Sequence, residues 1–274
     1  MKKRALIISG GGALGAFGCG VTEALINVKK NDYDLIVGTS TGALQMGLVG
    51  LKDFDKLRES YLNVDQSSIF DFNPFKKNGE INIFKLIYRL LRGKESIGES
   101  NNLKMLIDEF FTLKDYNTLL SRGVEIRAVT TSLTDKKTYS YSNMDTKYED
   151  MKEWIWASSN VPLYMSFLYK NGHKWTDGGV KEHTPIQHVI DLGYDEIDII
   201  VHRPKTYEES THWKGKGIFS NIFRILKILQ EDVSENDIAL SKLKASDYDV
   251  NLNIYYTPYK LAENPLMFDK DKMK

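Results

Sequence analysis

The sequence predicts an α/β protein in which helices are layered on a sheet. Short apolar runs with the length of buried strands alternate along the chain with longer segments of helical periodicity. Two of these runs lead through glycine-rich turns directly into helices. The length of 274 residues suits one large domain or two small ones, and the apolar content of 42% is enough for a hydrophobic core. We therefore predict a single domain over residues 1–274.

The first predicted strand, residues 5–9, is followed by the sequence GGGALG at residues 10–15 and then by a helix. A loop without side chains between a strand and a helix forms an anion-binding cradle, because backbone N–H groups can approach a negative group closely. The loop also fits the Gly-x-Gly-x-x-Gly pattern of dinucleotide-binding folds. Such folds need an acidic residue at the end of the second strand, whereas Asp32 and Asp34 precede it here. This argues against a nucleotide site.

The second strand, residues 35–37, runs into the sequence GTSTG at residues 38–42 and then into a helix. Strand, sharp turn and helix form the context in which Gly-x-Ser-x-Gly becomes a nucleophile elbow. Gly38 and Gly42 allow the tight turn, because a Cβ at either position would collide with neighbouring chain. Ser40 then projects at a helix N-terminus, where the dipole and free N–H groups favour negative charge. A glycine- and serine-rich turn without chemistry is the alternative.

The middle of the chain, residues 67–118, is predicted as a lid or cover insertion. It begins with a loop rich in aromatic residues, namely Phe70, Phe72 and Phe75. A basic amphipathic helix follows over 83–91, with Ile83, Ile87, Leu90 and Leu91 on one face and Lys85, Arg89 and Arg92 elsewhere. Such a helix can rest on an anionic membrane surface. It can also be a cover helix packed on its own domain, which is the interpretation we favour.

The second half of the chain continues the alternation of strands and helices. Strands are predicted at 124–132, 138–141, 163–169, 198–202 and 250–256, and helices at 148–158, 185–192 and 219–245. Between two of these elements, Asp177 is followed by Gly178 and Gly179. This order suits an acid held on a tight turn at a strand end, and an ordinary Asp-Gly turn is the alternative. A polar loop is predicted at 205–216, and the charged tail over 260–274 is predicted to be loose.

Three ordered motifs make the chain resemble the patatin-like phospholipase family. They are the glycine loop at 10–15, the GTSTG elbow at 38–42 and the Asp-Gly-Gly at 177–179. Weaker similarity lies in the sequences ASSNVP at 157–162 and TPI at 184–186. The resemblance spans roughly residues 4–202, and three motifs in order are far more specific than one. The loop departs from the family at Leu14, where Arg or Lys is usual, so the resemblance does not extend to the charge of the loop, the details of oxyanion stabilisation or the head-group preference.

This resemblance implies a three-layer α/β/α fold with a central, mostly parallel sheet, and a serine hydrolase that cleaves fatty-acyl esters of phospholipids or other lipids. By it, Ser40 is the nucleophile and Asp177 is the base, without a catalytic histidine, a metal or a cofactor. Four residues would supply N–H groups to an oxyanion hole, three by the resemblance and the last by the logic of the elbow: Gly10, Gly11, Gly12 and Thr41. The glycines that shape the motifs are Gly15, Gly38, Gly42, Gly178 and Gly179.

Two other functions remain open at this point. An α/β-hydrolase would need a histidine after the acid, and four follow Asp177: His183, His188, His202 and His212. That fold usually has more strands before its elbow, and we interpret all five histidines, with His173, as surface or packing residues. A non-catalytic binder of acyl lipids or anions could keep the glycine loop. The presence of both Ser40 and Asp177 argues against it.

The composition excludes further classes of protein. The 37 basic and 37 acidic residues cancel, so the net charge does not point to nucleic acid. Cys19 is the only cysteine, so no internal disulfide forms and a reducing compartment fits best. No apolar run is long enough for a signal peptide or a membrane span. We expect a cytoplasmic protein, with peripheral contact to a membrane surface and a lipid or other acyl ester as its substrate.

Overall fold

The computed structural model describes residues 3–77, 79–205, 218–261 and 266–268, and these are built around one eight-stranded sheet. The strands are β1 (Arg4–Ile8), β2 (Leu35–Thr39), β3 (Glu125–Ser132), β4 (Lys137–Ser142), β5 (Leu168–Lys170), β6 (His173–Asp177), β7 (Glu196–Pro204) and β8 (Asn251–Thr257). Their order across the sheet is β5-β6-β3-β2-β1-β7-β8, and β4 pairs with β3 as well.

Five neighbouring strands of the sheet, from β3 through β2, β1 and β7 to β8, run parallel. The other three, β4, β5 and β6, pair in antiparallel fashion. In β1 the side chains of Leu6 and Ile8 join one buried cluster, and those of Ala5 and Ile7 join another. A parallel strand that is covered on both faces is apolar throughout. The predicted α/β fold with a mostly parallel sheet between helices is therefore confirmed.

The helices are α1 (Gly15–Glu23), α2 (Thr41–Leu51), α3 (Phe54–Leu62), α4 (Gln66–Ile69), α5 (Ile83–Leu91), α6 (Asn101–Phe110), α7 (Leu113–Arg122), α8 (Tyr148–Ser158), α9 (Ile186–Asp191) and α10 (Ile218–Asp247). Helices α2, α3, α6 and α8 contribute to the larger cluster, on one face of the sheet, and α9 and α10 contribute to the cluster on the other face. Within the described residues, no helix combines the length and the apolar character that crossing a membrane requires.

Helix α5 differs from the sequence-based prediction in the residues that it buries. Its inward side chains are Leu86 and Arg89, and Arg89 is one of the basic residues predicted to lie away from the apolar face. The guanidinium of Arg89 donates to the carbonyl of Ser96 and pairs with Glu99, so its charge is compensated within the protein. The apolar face points outward instead, with exposed side chains at Ile83, Phe84, Ile87, Tyr88, Leu90 and Leu91.

Three other predicted segments differ from the structure or lie partly outside the described residues. The strand predicted over 163–169 is shorter in the structure, because only β5 pairs with a neighbouring strand. The polar loop predicted over 205–216 lies outside the described residues from 206 onward. Of the predicted tail over 260–274, the structure describes 260, 261 and 266–268, and the last three pack against the larger core cluster.

Candidate active site

The register of β3 brings the two predicted catalytic residues together. Because β4 occupies one edge of β3, both β2 and β6 pair with the opposite edge. Thr39, the last residue of β2, lies opposite Val129, and Asp177, the last residue of β6, lies opposite Thr130. Since β2 runs parallel and β6 antiparallel to β3, the two strands meet with their carboxyl ends. Ser40 follows β2 directly and therefore lies beside Asp177.

The turn at Ser40 has the strained geometry of a nucleophile elbow. Ser40 adopts φ 57° and ψ −122°, a backbone conformation that non-glycine residues rarely adopt. A Cβ on Gly38 would lie 2.3 Å from backbone atoms of Gly42, and one on Gly42 would lie 2.0 Å from the carbonyl oxygen of Ile8. Both positions therefore require glycine. The turn holds the Ser40 side chain at the start of α2, where the residue is 7% exposed.

Two serine hydroxyl groups at the end of α8 hold the backbone of the elbow in place. The hydroxyl of Ser158 accepts a hydrogen bond from the Ser40 N–H at 3.0 Å and donates to the carbonyl of Val129 at 2.6 Å. The hydroxyl of Ser159 donates to the Ser40 carbonyl at 3.1 Å. These contacts compensate buried polar groups on both sides of the strained residue. The family-like segment at 157–162 thus has a physical role in holding the turn.

Asp177 is buried, with 2% of its surface exposed, and its carboxyl group makes few hydrogen bonds. Burial raises the pKa of its carboxyl group to about 7, while the hydroxyl of Ser40 and the N–H of Gly179 lower the pKa by hydrogen bonding. The bond from Gly179 to Oδ1 is 2.7 Å long. A carboxyl group with a pKa near neutrality can accept and return a proton, as a general base must.

The glycine loop approaches the elbow closely at Gly10. A Cβ on Gly10 would lie 3.3 Å from the Cβ of Ser40, so the loop backbone passes directly beside the serine. The N–H of Gly10 donates to the carbonyl of His183 at 3.4 Å. Within the described chain, the N–H groups of Gly11 and Gly12 have no protein acceptor, and Gly12 adopts φ 55°.

Thr41 is the other predicted donor and occupies the first position of α2, where a backbone N–H has no partner within the helix. The loop is closed by the N–H of Leu14, which donates to the carbonyl of Gly11 at 3.1 Å. Because this bond involves only backbone atoms, it does not depend on the side chain that departs from the family pattern. Free N–H groups beside a serine form the arrangement that stabilises an oxyanion.

The imidazole of His202 contacts two backbone carbonyl groups at the start of the glycine loop, a role that the sequence did not reveal. Its Nδ1 lies 3.0 Å from the carbonyl oxygen of Ser9 and 3.2 Å from that of Gly10. Burial lowers the pKa of the imidazole to about 4, so the ring is neutral at neutral pH and Nδ1 carries the proton that these carbonyls accept. A Cβ on Gly11 would lie 2.5 Å from the His202 Cβ, so this glycine is needed for the loop to pass the ring.

His183 lies beside the predicted catalytic pair, which no local motif indicated. Its Nε2 is 2.8 Å from the place of a Cβ on Gly10, and its Cδ2 is 3.1 Å from that of a Cβ on Gly179. Burial and the charges of His202 and Arg203 lower the pKa of His183 to about 4. Two other histidines bond to serines away from this site, His188 to Ser140 and His173 to Ser132. The last histidine, His212, lies outside the described residues.

In the part of the chain that the structure describes, no three histidine, cysteine or carboxylate side chains are grouped so that they could hold a metal ion. The single cysteine, Cys19, is buried in α1, and burial raises the pKa of its thiol to about 12. A thiol with such a pKa is protonated and unreactive at neutral pH. The thiol of Cys19 is therefore not a candidate nucleophile.

The sequence profile of the family described as patatin-like phospholipase matches residues 6–190, which is more than half of the chain. This chain belongs to the patatin-like phospholipase family. The match contains the glycine loop, the elbow at Ser40 and the Asp-Gly-Gly at 177–179. The prediction of an enzyme family of lipid acyl hydrolases is confirmed.

Among solved structures, this patatin-like chain is similar to VipD from Legionella pneumophila, with 16% sequence identity and a TM-score of 0.40. The similarity covers 77% of this chain and 51% of the VipD chain, so the patatin-like chain spans about half the length of that structure. No curated protein matches the chain.

Proposed function

We propose that this patatin-like protein hydrolyses fatty-acyl esters of lipids through a dyad of Ser40 and Asp177. The observation that carries the proposal is the meeting of β2 and β6 end to end on β3, which places a strained serine beside a buried carboxyl group. A serine hydroxyl is a weak nucleophile and needs an adjacent base. Asp177, with its pKa raised to about 7, is the ionisable group whose hydrogen bond with Ser40 supports that role.

In the first half of the proposed reaction, the Ser40 hydroxyl attacks the ester carbonyl carbon and its proton passes to Asp177. The carbonyl oxygen becomes an oxyanion that accepts hydrogen bonds from the free N–H groups of Gly11, Gly12 and Thr41. The tetrahedral intermediate then collapses: the bond to the alcohol oxygen breaks, and Asp177 returns the proton to that oxygen. The product at this stage is an acyl ester of Ser40 and a free alcohol.

In the second half, water takes the place of the alcohol. Asp177 accepts a proton from the water molecule, whose oxygen attacks the carbonyl carbon of the acyl-enzyme. The same N–H groups receive the second oxyanion. Collapse of this intermediate breaks the bond to Ser40, and the proton returns to its hydroxyl, so the fatty acid leaves and the enzyme is restored.

The test compares Ser40→Ala with Ser121→Ala, which alters an exposed serine on α7. The substrates are a phospholipid, a lysophospholipid and a neutral glyceride, and a serine-directed phosphonate serves as an active-site label. Ser40→Ala should abolish hydrolysis and labelling, while Ser121→Ala should retain both. Labelling that persists in Ser40→Ala would place the nucleophile elsewhere. Binding of lipid without turnover by the wild-type protein would favour a non-catalytic binder.

We further propose that α5 contacts the lipid surface from which the substrate is drawn. Phe84 and Leu91 are 85% and 83% exposed, and with their apolar neighbours they cover the outer face of the helix. Contiguous apolar side chains on a protein surface mark sites of interaction with proteins or membranes. An enzyme that cleaves lipid must contact an aggregate, so a membrane is the partner that suits this face.

Exposed apolar residues are the appropriate targets for a test, because reversing the charge of Arg89 would break a buried ion pair. The double change of Phe84 and Leu91 to serine should weaken binding to phospholipid vesicles by more than about tenfold, since each side chain contributes roughly 1.5 kcal/mol or more when buried. It should spare a short soluble ester. Leu120→Ser, at a 38% exposed position of α7, is the control. Equal loss on vesicles and soluble ester would indicate a structural role for α5.

A further inference from the structure

An apolar pocket lies beneath α2, on the same face of the sheet as the larger core cluster. Side chains from α2, α3, α4, α6 and α8 line it, and its polar lining groups are confined to Thr41, Ser60 and the hydroxyl of Tyr61. The lining residues of α2 run from Thr41 to Leu48. At a helical rise of 1.5 Å per residue, the pocket extends about 10 Å along that helix.

The pocket begins beside the nucleophile. Thr41 is the residue after Ser40, and its hydroxyl shares a hydrogen bond with the hydroxyl of Tyr61. Both of these oxygens face the glycine loop, since a Cβ on Gly15 would lie within 2.5 Å of each of them. The pocket therefore starts where the elbow and the oxyanion loop meet. An apolar chain attached to a carbonyl at Ser40 would reach its lining through the Thr41 side.

One wall of the pocket comes from outside the part of the chain that matches the family. Phe268 lines the pocket, whereas the family match ends at residue 190. The segment that carries it is held in place, because the side-chain amide of Gln66 donates to the carbonyl of Leu266 at 2.6 Å. Phe268 also packs against the larger core cluster.

We propose that this pocket receives the acyl chain of the substrate, and that Phe268 sets the length of chain that is accepted. The inference rests on the proposed hydrolysis at Ser40 and adds the acyl subsite to it. A pocket with an apolar lining and a few polar groups at one end suits a ligand with an alkyl chain and a polar head. Two of its three polar lining groups, Thr41 and the hydroxyl of Tyr61, lie at the end nearest the serine, which is the orientation that an ester needs.

The free volume of the pocket is too small for a long acyl chain. The length of chain that is accepted therefore depends on which lining side chain can move. The pocket encloses about 60 Å³. A cavity of about 150 Å³ takes up a benzene ring, so this space accommodates roughly two or three carbon atoms without movement of its walls. A longer chain must displace a lining side chain. Phe268 is the candidate, because it is only partly buried and lies outside the helices and strands of the structure.

The test measures kcat/KM for p-nitrophenyl esters from acetate to decanoate, below the concentrations at which they aggregate. Leu106→Trp places an indole in the pocket, and Met105→Trp makes the same change at the adjacent residue of α6, whose side chain is 63% exposed and does not line the pocket. Phe268→Ala removes the proposed wall. Hydrolysis of the acetate ester and thermal unfolding report whether each variant is folded.

Leu106→Trp should lower the ratio of decanoate to acetate kcat/KM by about tenfold or more, because it excludes two or more methylenes that each contribute about fourfold. Met105→Trp should leave the ratio unchanged, and Phe268→Ala should raise it. An unchanged ratio in both Leu106→Trp and Phe268→Ala, with acetate hydrolysis retained, would overturn the acyl subsite alone. Absence of ester hydrolysis by the wild-type protein would instead overturn the proposed function.

Discussion

The substitution Asp177→Asn tests two properties of the buried carboxyl group: its proposed role as the base and its effect on the free energy of unfolding. The change keeps the size and shape of the side chain and keeps an oxygen that can accept the hydrogen bond from the Gly179 N–H. It removes the group that can take up the proton of Ser40. Because both residues of the proposed dyad are needed for the same step, hydrolysis should fall nearly as far as in Ser40→Ala.

The same substitution should make the protein more stable at alkaline pH. Folding raises the pKa of Asp177 from 3.8 to about 7, so the folded protein binds this proton more tightly than the unfolded chain does. This tighter proton binding stabilises the folded state. The stabilisation is complete below pH 3.8 and is lost as the pH rises through 7. At about 1.4 kcal/mol per pKa unit, the ionised carboxylate costs the folded state about 4 kcal/mol at pH 8. A neutral amide avoids that cost.

Urea unfolding at pH 4 and at pH 8 measures this difference. Asp177→Asn and the wild-type protein should have similar free energies of unfolding at pH 4, and the variant should gain up to about 4 kcal/mol at pH 8. Asp32→Asn, which makes the same change at an 84% exposed side chain, is the matched control. If Asp177→Asn lowers the free energy of unfolding equally at both pH values, folding does not raise the pKa of Asp177, and the reasoning fails.

The activity of the wild-type protein should rise with pH through about 7, because only the ionised Asp177 can accept a proton. Two neighbouring carboxyl groups could contribute to the same rise. Burial raises the pKa of Glu182 to about 7 and that of Asp237 to about 6. Because Asp177 is the proposed base, Glu182→Gln should leave the pH profile of kcat/KM unchanged. A profile that loses its rise in Glu182→Gln would assign the titration to that residue.

Three further outcomes are expected. His183→Asn should keep substantial hydrolysis, since the dyad needs no histidine; activity as low as in Ser40→Ala would show that the adjacent imidazole is the base. Gly42→Ala should cost about 3 kcal/mol or more in urea unfolding, because its Cβ would overlap the Ile8 carbonyl, whereas Gly20→Ala, which meets nothing within 4 Å, should stabilise α1 by roughly 0.5–1 kcal/mol. A chelator should leave hydrolysis unchanged; a loss that one added metal restores would reveal a ligand set.

The local features of the site could be predicted from the sequence because each is encoded by a few consecutive residues. Gly38 and Gly42 permit the tight turn around Ser40, where a Cβ would collide with neighbouring backbone, and an apolar run before such a turn indicates a buried strand. The parallel centre of the fold follows from strands that alternate with helices. These predictions required no knowledge of which strands pair.

The remaining features depend on contacts between distant segments. Nothing near His183 in the sequence indicates that its ring lies beside Gly10. Nothing near His202 indicates that its ring contacts the Gly10 carbonyl oxygen. The burial of Arg89 in α5 could not be predicted, because periodicity alone gives no reason to bury a charged residue unless its partner is known. That partner, Glu99, lies beyond the end of the helix, so the ion pair could not be read from the amphipathic pattern.

The meeting of β2 and β6 on one edge of β3 also has a consequence during synthesis. A nascent chain that has emerged only as far as β3 holds the serine in its elbow but lacks the carboxyl group, which β6 supplies later. The proposed dyad can therefore form only after β6 has paired with β3. A fragment truncated before residue 177 should be inactive even where its elbow is folded.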